Sequence, residues 1–192
     1  MDLAWDDART RKFTSTLGLI TSTGPWGPNI MCAEWSRHIS YTPSMLMLNL
    51  KPSDATTDNI LKSKEFGLNL AADTQASLCS AAGNSTGKEV DKISLLKELG
   101  GEFYTAKKIN APMLKGAAMN AECKLIKHEN FGDHFAFIGE VLEISAEPTL
   151  SALLYHEGKF FKLGEQLPRP PQEVYEKTKA LAEKHKKNSP EE

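Results

Sequence analysis

The chain has little cysteine, almost no net charge and no clean apolar span. Its three cysteines, Cys32, Cys79 and Cys123, are scattered along 192 residues, with no CxxC and no Cys/His group at zinc-ligand spacing. A disulfide framework and a structural zinc site are therefore not expected. Free buried thiols in a reducing, cytoplasmic compartment are. Lys and Arg number 23 against 25 Asp and Glu, a formal net charge of -2. That balance supplies no basic field for nucleic acid or an anionic membrane, so any bound anion must be held by local donors. Residues 13–33 carry no charge, but Gly18, Gly24, Pro25, Gly27 and Pro28 interrupt them, so no transmembrane span is expected. The opening MDLAWDDARTRK has no apolar core of a secretory signal.

Several motifs are missing as well. There is no GxGxxG for a dinucleotide fold, no GxSxG elbow and no HExxH. GNSTGKE at 83–89 imitates a phosphate loop, with three residues between its glycines where four are needed and Glu89 in place of Ser or Thr. It is read as a chance likeness in a polar loop.

What is present points to a β-rich domain with helical insertions. Leu17 to Ser22 reads as a strand, TGPWGP as a longer loop, and Ile30 to Arg37 as the returning strand of a hairpin. MLMLNL at 45–50 and FGLNLA at 66–71 read as further strands. Asp54 and Asp73 are candidate caps for short helices over 54–64 and up to Gly83, and Asp91 to Leu99 is a third. Ala117 to His128 and Phe135 to Ser145 are two longer strands, and Leu153 to Tyr155 pairs with Lys159 to Leu163 across a tight turn. Beyond PRPP, Gln172 to Lys187 is helix-forming with a basic end, and NSPEE is read as frayed. The expected division is a domain over 1–167 and a helical extension over 168–192.

One stretch has more polar variety than a structural strand requires. NIMCAEWSRHIS at 29–40 crowds Asn29, Trp35, Ser36, Arg37, His38 and Ser40 around Met31, Cys32, Ala33 and Glu34. It opens an ordered series of blocks: NIMCAEWSRHISYTP, KPSDATTDNI, FGLNLA, GNSTGKEVDKI, GDHFAFIGEV and LLYHEGKFFKLGE. In that order and spacing, over roughly residues 10–165, the chain resembles the flavin reductase-like, FMN-binding split-barrel family, which includes flavoredoxin.

The resemblance implies a six-stranded Greek-key split β-barrel, a homodimer with FMN near the interface, and NADH or NADPH as electron donor. The flavin would take a hydride at N5 and pass electrons to free flavin, a ferric complex or a partner protein. An electron carrier reduced by a partner protein is the alternative. By motif position Asn29, Trp35, Thr56, Lys92 and His134 are the expected flavin-site residues, with Phe160 or Phe161 as the nearby aromatic. The backbone from Met31 through Cys32, Ala33 and Glu34 to Trp35 would meet the ring's polar edge. Ser36, Arg37, Ser40, Lys51, Ser53, Thr56 and Thr57 are candidate phosphate donors; otherwise Arg37 and Lys51 are ordinary surface charges. Trp35 is a ring wall or core packing, Asn29 a ligand or turn chemistry, Lys92 a charge at the flavin or a helix-surface lysine. His134 is the candidate catalytic residue, through alignment at the flavin or nicotinamide edge and not as a proton donor.

Overall fold

The computed structural model describes residues 1–4 and 7–186; the NSPEE tail lies outside the described residues. After a 3-10 turn at Thr10–Lys12 come β1 (Ser15–Thr16), β2 (Gly18–Gly24), β3 (Gly27–Ala33), β4 (Ser36–Tyr41) and β5 (Ser44–Leu50). Next are α1 (Ala55–Ser63), β6 (Glu65–Leu70), α2 (Ala76–Gly83) and α3 (Lys92–Glu98). Short strands β7 (Phe103–Thr105) and β8 (Pro112–Leu114) precede the long pair β9 (Met119–Phe131) and β10 (His134–Ala146). The chain finishes with β11 (Leu154–His156), β12 (Lys159–Phe161) and α4 (Gln172–Lys184).

The principal sheet is antiparallel, in the order β3-β2-β6-β9-β10-β5-β4. Its two edge strands, β3 and β4, are separated in sequence by Glu34 and Trp35 alone. Three residue steps span at most about 11 Å, so opposite edges must meet and the sheet must curl. The joint is tight: a Cβ on Gly18 of β2 would lie 2.8 Å from Ser36 Oγ at the start of β4. Asn49 N–H of β5 donates to the Trp35 carbonyl at 2.9 Å, fixing the corner to the sheet. Ile30 to Arg37, expected as one strand, is thus broken at this corner, and the principal sheet has seven strands among the described residues where the resemblance implies six.

Alternation along the strands makes two cores, because successive side chains face opposite sides of a sheet. Ile20, Leu46, Leu48, Phe66, Leu68 and Phe137 pack together on one side. Leu19, Ile30 and Ala71 pack on the other with Leu78 and Cys79 of α2 and Ile93 and Leu96 of α3. Hence α2 and α3 cover the edge strand β3.

Local turns differ from expectation in instructive ways. β2 and β3 pair up to Gly24 and Gly27, so only Pro25-Trp26 forms the turn, not a longer loop. Asp73 does not cap α2. Its N–H donates to Ser151 O while Leu153 N–H donates to Ala71 O, and a turn closed by Gln75 N–H on Ala72 O at 2.8 Å delays the helix to Ala76. Asp54 sits at the N-cap position of α1, but its side chain accepts from Lys51 N–H at 3.1 Å instead of from the helix. Asp91 does cap α3, accepting from Ser94 N–H at 3.0 Å. α4 buries none of its residues, and no helix among those described is long and apolar enough to cross a membrane.

Candidate functional site

A cavity of about 790 Å³ opens at the corner between β3 and β4. The corner supplies Glu34 and Trp35, β4 supplies Ser36 and Arg37, and the end of β5 leads to Lys51. Asp133 and His134 enter from the β9–β10 hairpin, where Gly132, at φ 65, permits a two-residue turn. Phe13 and Tyr155 also line it, Tyr155 placed by the pairing of β11 with Ser15 of β1.

Within the cavity an aromatic wall meets charges of both signs, Arg11, Arg37 and Lys51 against Glu34, Asp133 and Glu157. The Trp35 ring, 49% exposed, lies 4.8 Å from the His134 ring at a 42° tilt. His134 is buried, and its Nδ1 lies 2.8 Å from Asp133 Oδ1. That hydrogen bond holds the Asp133 carboxyl below its ordinary range. The Ser36 hydroxyl is buried and has no hydrogen-bond partner. Such a group is costly to leave unpaired, and this one faces Gly18 in the joint between β2 and β4.

A second polar cluster lies beside β3. Asn29 is 2% exposed, and its Nδ2 donates to Thr56 Oγ1 at 2.8 Å. Gly87 is needed here, because a Cβ at that position would overlap the Asn29 amide. Lys92, 3% exposed, donates through Nζ to the carbonyls of Ala82 at 2.9 Å and Ser85 at 3.0 Å. Those bonds use two of its three hydrogens. Burial lowers the Lys92 pKa to about 8, opposed by the charges of Asp54 and Cys32. The Ser85 hydroxyl is the second buried side-chain group without a partner.

Asp54 connects the two clusters. Burial raises its pKa, while the hydrogen bond from Lys51 N–H and the charges of Lys51, Lys92 and His134 pull it back. One carboxylate is therefore within electrostatic reach of the cavity's Lys51 and His134 and of the buried Lys92.

The expected residues separate accordingly. Glu34, Trp35, Ser36, Arg37, Lys51 and His134 line one cavity. Asn29, Thr56 and Lys92 belong to the buried cluster. The side chains of Met31 and Ala33 pack into the first core, and Cys32 against the second, so these three offer the site backbone groups. β3 has a neighbour on one side only, which leaves half of its ladder groups pointing away from β2. Four expected phosphate donors lie outside the cavity: Ser40, Ser53, Thr56 and Thr57. Ser40 falls at the register shift in β4, Ser53 is in the exposed turn before α1, and Thr57 Oγ1 donates to Lys51 O at 2.8 Å. Phe161 does not line the cavity either. Tyr155 does, and its cross-strand partner is Phe160, with ring centroids 5.6 Å apart.

Sequence reasoning missed Ser85, Gly87, Asp54 and Tyr155 as site residues. The imitation phosphate loop over 83–89 was the available signal, since it carries Ser85 and Gly87 against Lys92 and Asn29.

Known proteins share this arrangement of strands. The chain is 25% identical to a flavin reductase of Pseudomonas putida over 161 residues, 83% of this chain and 89% of that protein. The solved structure of Streptomyces globisporus C-1027 NADH:FAD oxidoreductase SgcE6, in complex with NAD and FAD fragments, matches at a TM-score of 0.73 and 17% identity, over 88% of this chain and 100% of that one. Flavoredoxin of Desulfovibrio vulgaris (Miyazaki F) matches at a TM-score of 0.74 and 21% identity, over 88% and 97%. Curated relatives at 30% and 28% identity are matched over 63% and 65% of their own length, so the chain spans a little under two thirds of them. The pattern of the flavin reductase like domain fits residues 10–164, and the chain belongs to that family.

Proposed function

We propose that this chain binds FMN across the two polar clusters and is an NAD(P)H-dependent oxidoreductase. The observation that carries the reading is the buried, unpartnered hydroxyl of Ser85 beside the buried ammonium of Lys92. Arg37 and Lys51 line the cavity and form a donor set suited to a phosphate dianion. Ser85 lies with Lys92, whose two carbonyl bonds leave one hydrogen for a ligand acceptor. When bound, FMN supplies the electron acceptor that takes a hydride from a nicotinamide. Trp35 and His134 wall the ring and exclude water, Asn29 and the outer edge of β3 meet polar ring atoms, and Lys92 holds positive charge nearby. His134 acts by alignment, with its ring orientation set by Asp133.

The same reading includes a homodimer with the cofactor near the interface. The large apolar side chains of Ile126, Phe131 and Ile144, exposed on the long β9–β10 pair, offer a surface for it. The curled sheet is read as a Greek-key split barrel, with residues 1–167 as its domain and 168–192 as an extension. The three free thiols suit a reducing cytoplasm.

An electron carrier reduced by a partner protein is the second reading, favoured by the flavoredoxin likeness and by a cavity open enough to leave Trp35 half exposed. The purified protein should show a flavin absorption band, alone or after FMN is added. No band and no binding would overturn both readings. Anaerobic NADH or NADPH should bleach the band. A bound flavin that neither nucleotide reduces would leave the carrier.

A further inference from the structure

We infer that Cys32 and Cys79 form a redox-active pair that closes to a disulfide under peroxide, tying β3 to α2 beside the buried polar cluster. Cys79 is a buried member of the second core, and Cys32 packs against that same core. A Cβ placed on Gly83, one turn beyond Cys79 on α2, would lie 3.6 Å from the Cys32 side chain. Residues four apart share a helix face, so β3 crosses α2 over the Cys79–Gly83 face. A hydrogen bond with Cys32, together with burial, keeps the Cys79 thiol protonated. Cys123 belongs to the other core, where burial pushes its thiol up to about 12.

The two cysteines are unequal, and the inequality suits the chemistry. Cys32 is half-buried whereas Cys79 is buried, so peroxide reaches Cys32 first. The Cys32 sulfur gives up its proton and attacks hydrogen peroxide. The O–O bond breaks, hydroxide leaves and takes up a proton, and Cys32 becomes a sulfenic acid. The Cys79 sulfur then displaces the hydroxyl from the Cys32 sulfur. The S–O bond breaks, the S–S bond forms, and the Cys79 proton leaves in the second water. Two sulfurs together lose two electrons, and one peroxide is reduced to two waters. The oxidised state would tie β3 to α2 within electrostatic reach of Lys92, a group the proposed cofactor site uses.

The chemistry needs no flavin, so its test is separate from the proposed activity. The full chain is treated with hydrogen peroxide, its remaining thiols are alkylated, and it is mapped by mass spectrometry. Two of the three thiols should be lost, with a linked peptide pair containing Cys32 and Cys79 that a dithiol reductant separates. In Cys32→Ser, Cys79 and Cys123 should both still be alkylated. Three alkylated thiols in the treated wild type would overturn the inference, as would Cys32 driven to sulfinic acid with no linked peptide.

Discussion

The two halves of the candidate site are built on opposite principles. Around the corner at Trp35 the groups are solvated: Arg37 and Lys51 are exposed, and the Trp35 ring is half in water. Around Asn29 almost everything is buried, and the polar groups hold one another, Asn29 on Thr56 and Lys92 on two carbonyls. Exposed groups can be lost at small cost to the fold because water replaces them. Buried ones cannot, since each deletion leaves a partner unpaired. The difference teaches that the buried half is preorganised and the open half is free to adapt to what it meets.

The largest break should come from Lys92→Met. It removes a buried cation and leaves the Ala82 and Ser85 carbonyls without their donor. FMN affinity, followed by fluorescence quenching, should fall about 100-fold, and urea unfolding should show a loss of about 2 kcal/mol. Asn29→Ala comes next, with about 1–2 kcal/mol lost from stability and weaker FMN binding, because Thr56 keeps no amide donor.

Proton removal from Lys92 should move stability and FMN affinity in opposite directions. Lys92 has its pKa lowered on burial from 10.5 to about 8. Below that value both folded and unfolded chains carry the proton, and the burial cost is fully present. Between about 8 and 10.5 the unfolded chain binds more protons, so this group's contribution to stability improves as pH rises. FMN affinity should move the other way, falling as pH passes about 8 and the ammonium is lost. Titrations of the wild type and Lys92→Met across pH 7 to 10 check both directions, and the variant should show neither trend.

The open half predicts a different pattern. Trp35→Ala should cost about tenfold in FMN affinity while moving unfolding by only about 0.5 kcal/mol, since half of the ring already faces water. If the stability losses of Trp35→Ala and Asn29→Ala proved equal, the contrast between the halves would fail. The smallest effect belongs to Lys88→Gln. It breaks the 3.0 Å ion pair with Asp58 and a contact over the Trp26 ring, both near the surface. About 0.5 kcal/mol or less is expected by thermal unfolding.

Much of this was legible in the sequence where one segment carries its own pattern. β2 shows period-two packing, with Leu19 and Ile20 in different cores, and α3 begins at an Asp whose cap is local. The corner block placed Trp35, Ser36 and Arg37 together because they are neighbours in the chain. Strands β1, β7 and β8, of two or three residues, are too short for a period to show. Asp54, Ser85 and Gly87 acquire their roles only when α1, the 84–90 loop and β3 meet, which no local pattern records. Phe160 and Phe161 stayed undecided in the sequence for a related reason. Adjacent strand residues face opposite ways, and only the pairing with β11 shows that Phe160 lies across from Tyr155.

The corner at Glu34 and Trp35 also bears on how the molecule folds. The seam that brings the outermost strands of the sheet together spans one of its shortest sequence separations. The entropy of closing a loop grows with its length, so this closure is cheap compared with pairing β6 to β9, whose partners Glu65 and Lys124 lie far apart in the chain. The curl can therefore be templated early, with the open half of the cavity formed as part of the turn, while the buried half waits for helices and loops that arrive from later in the sequence.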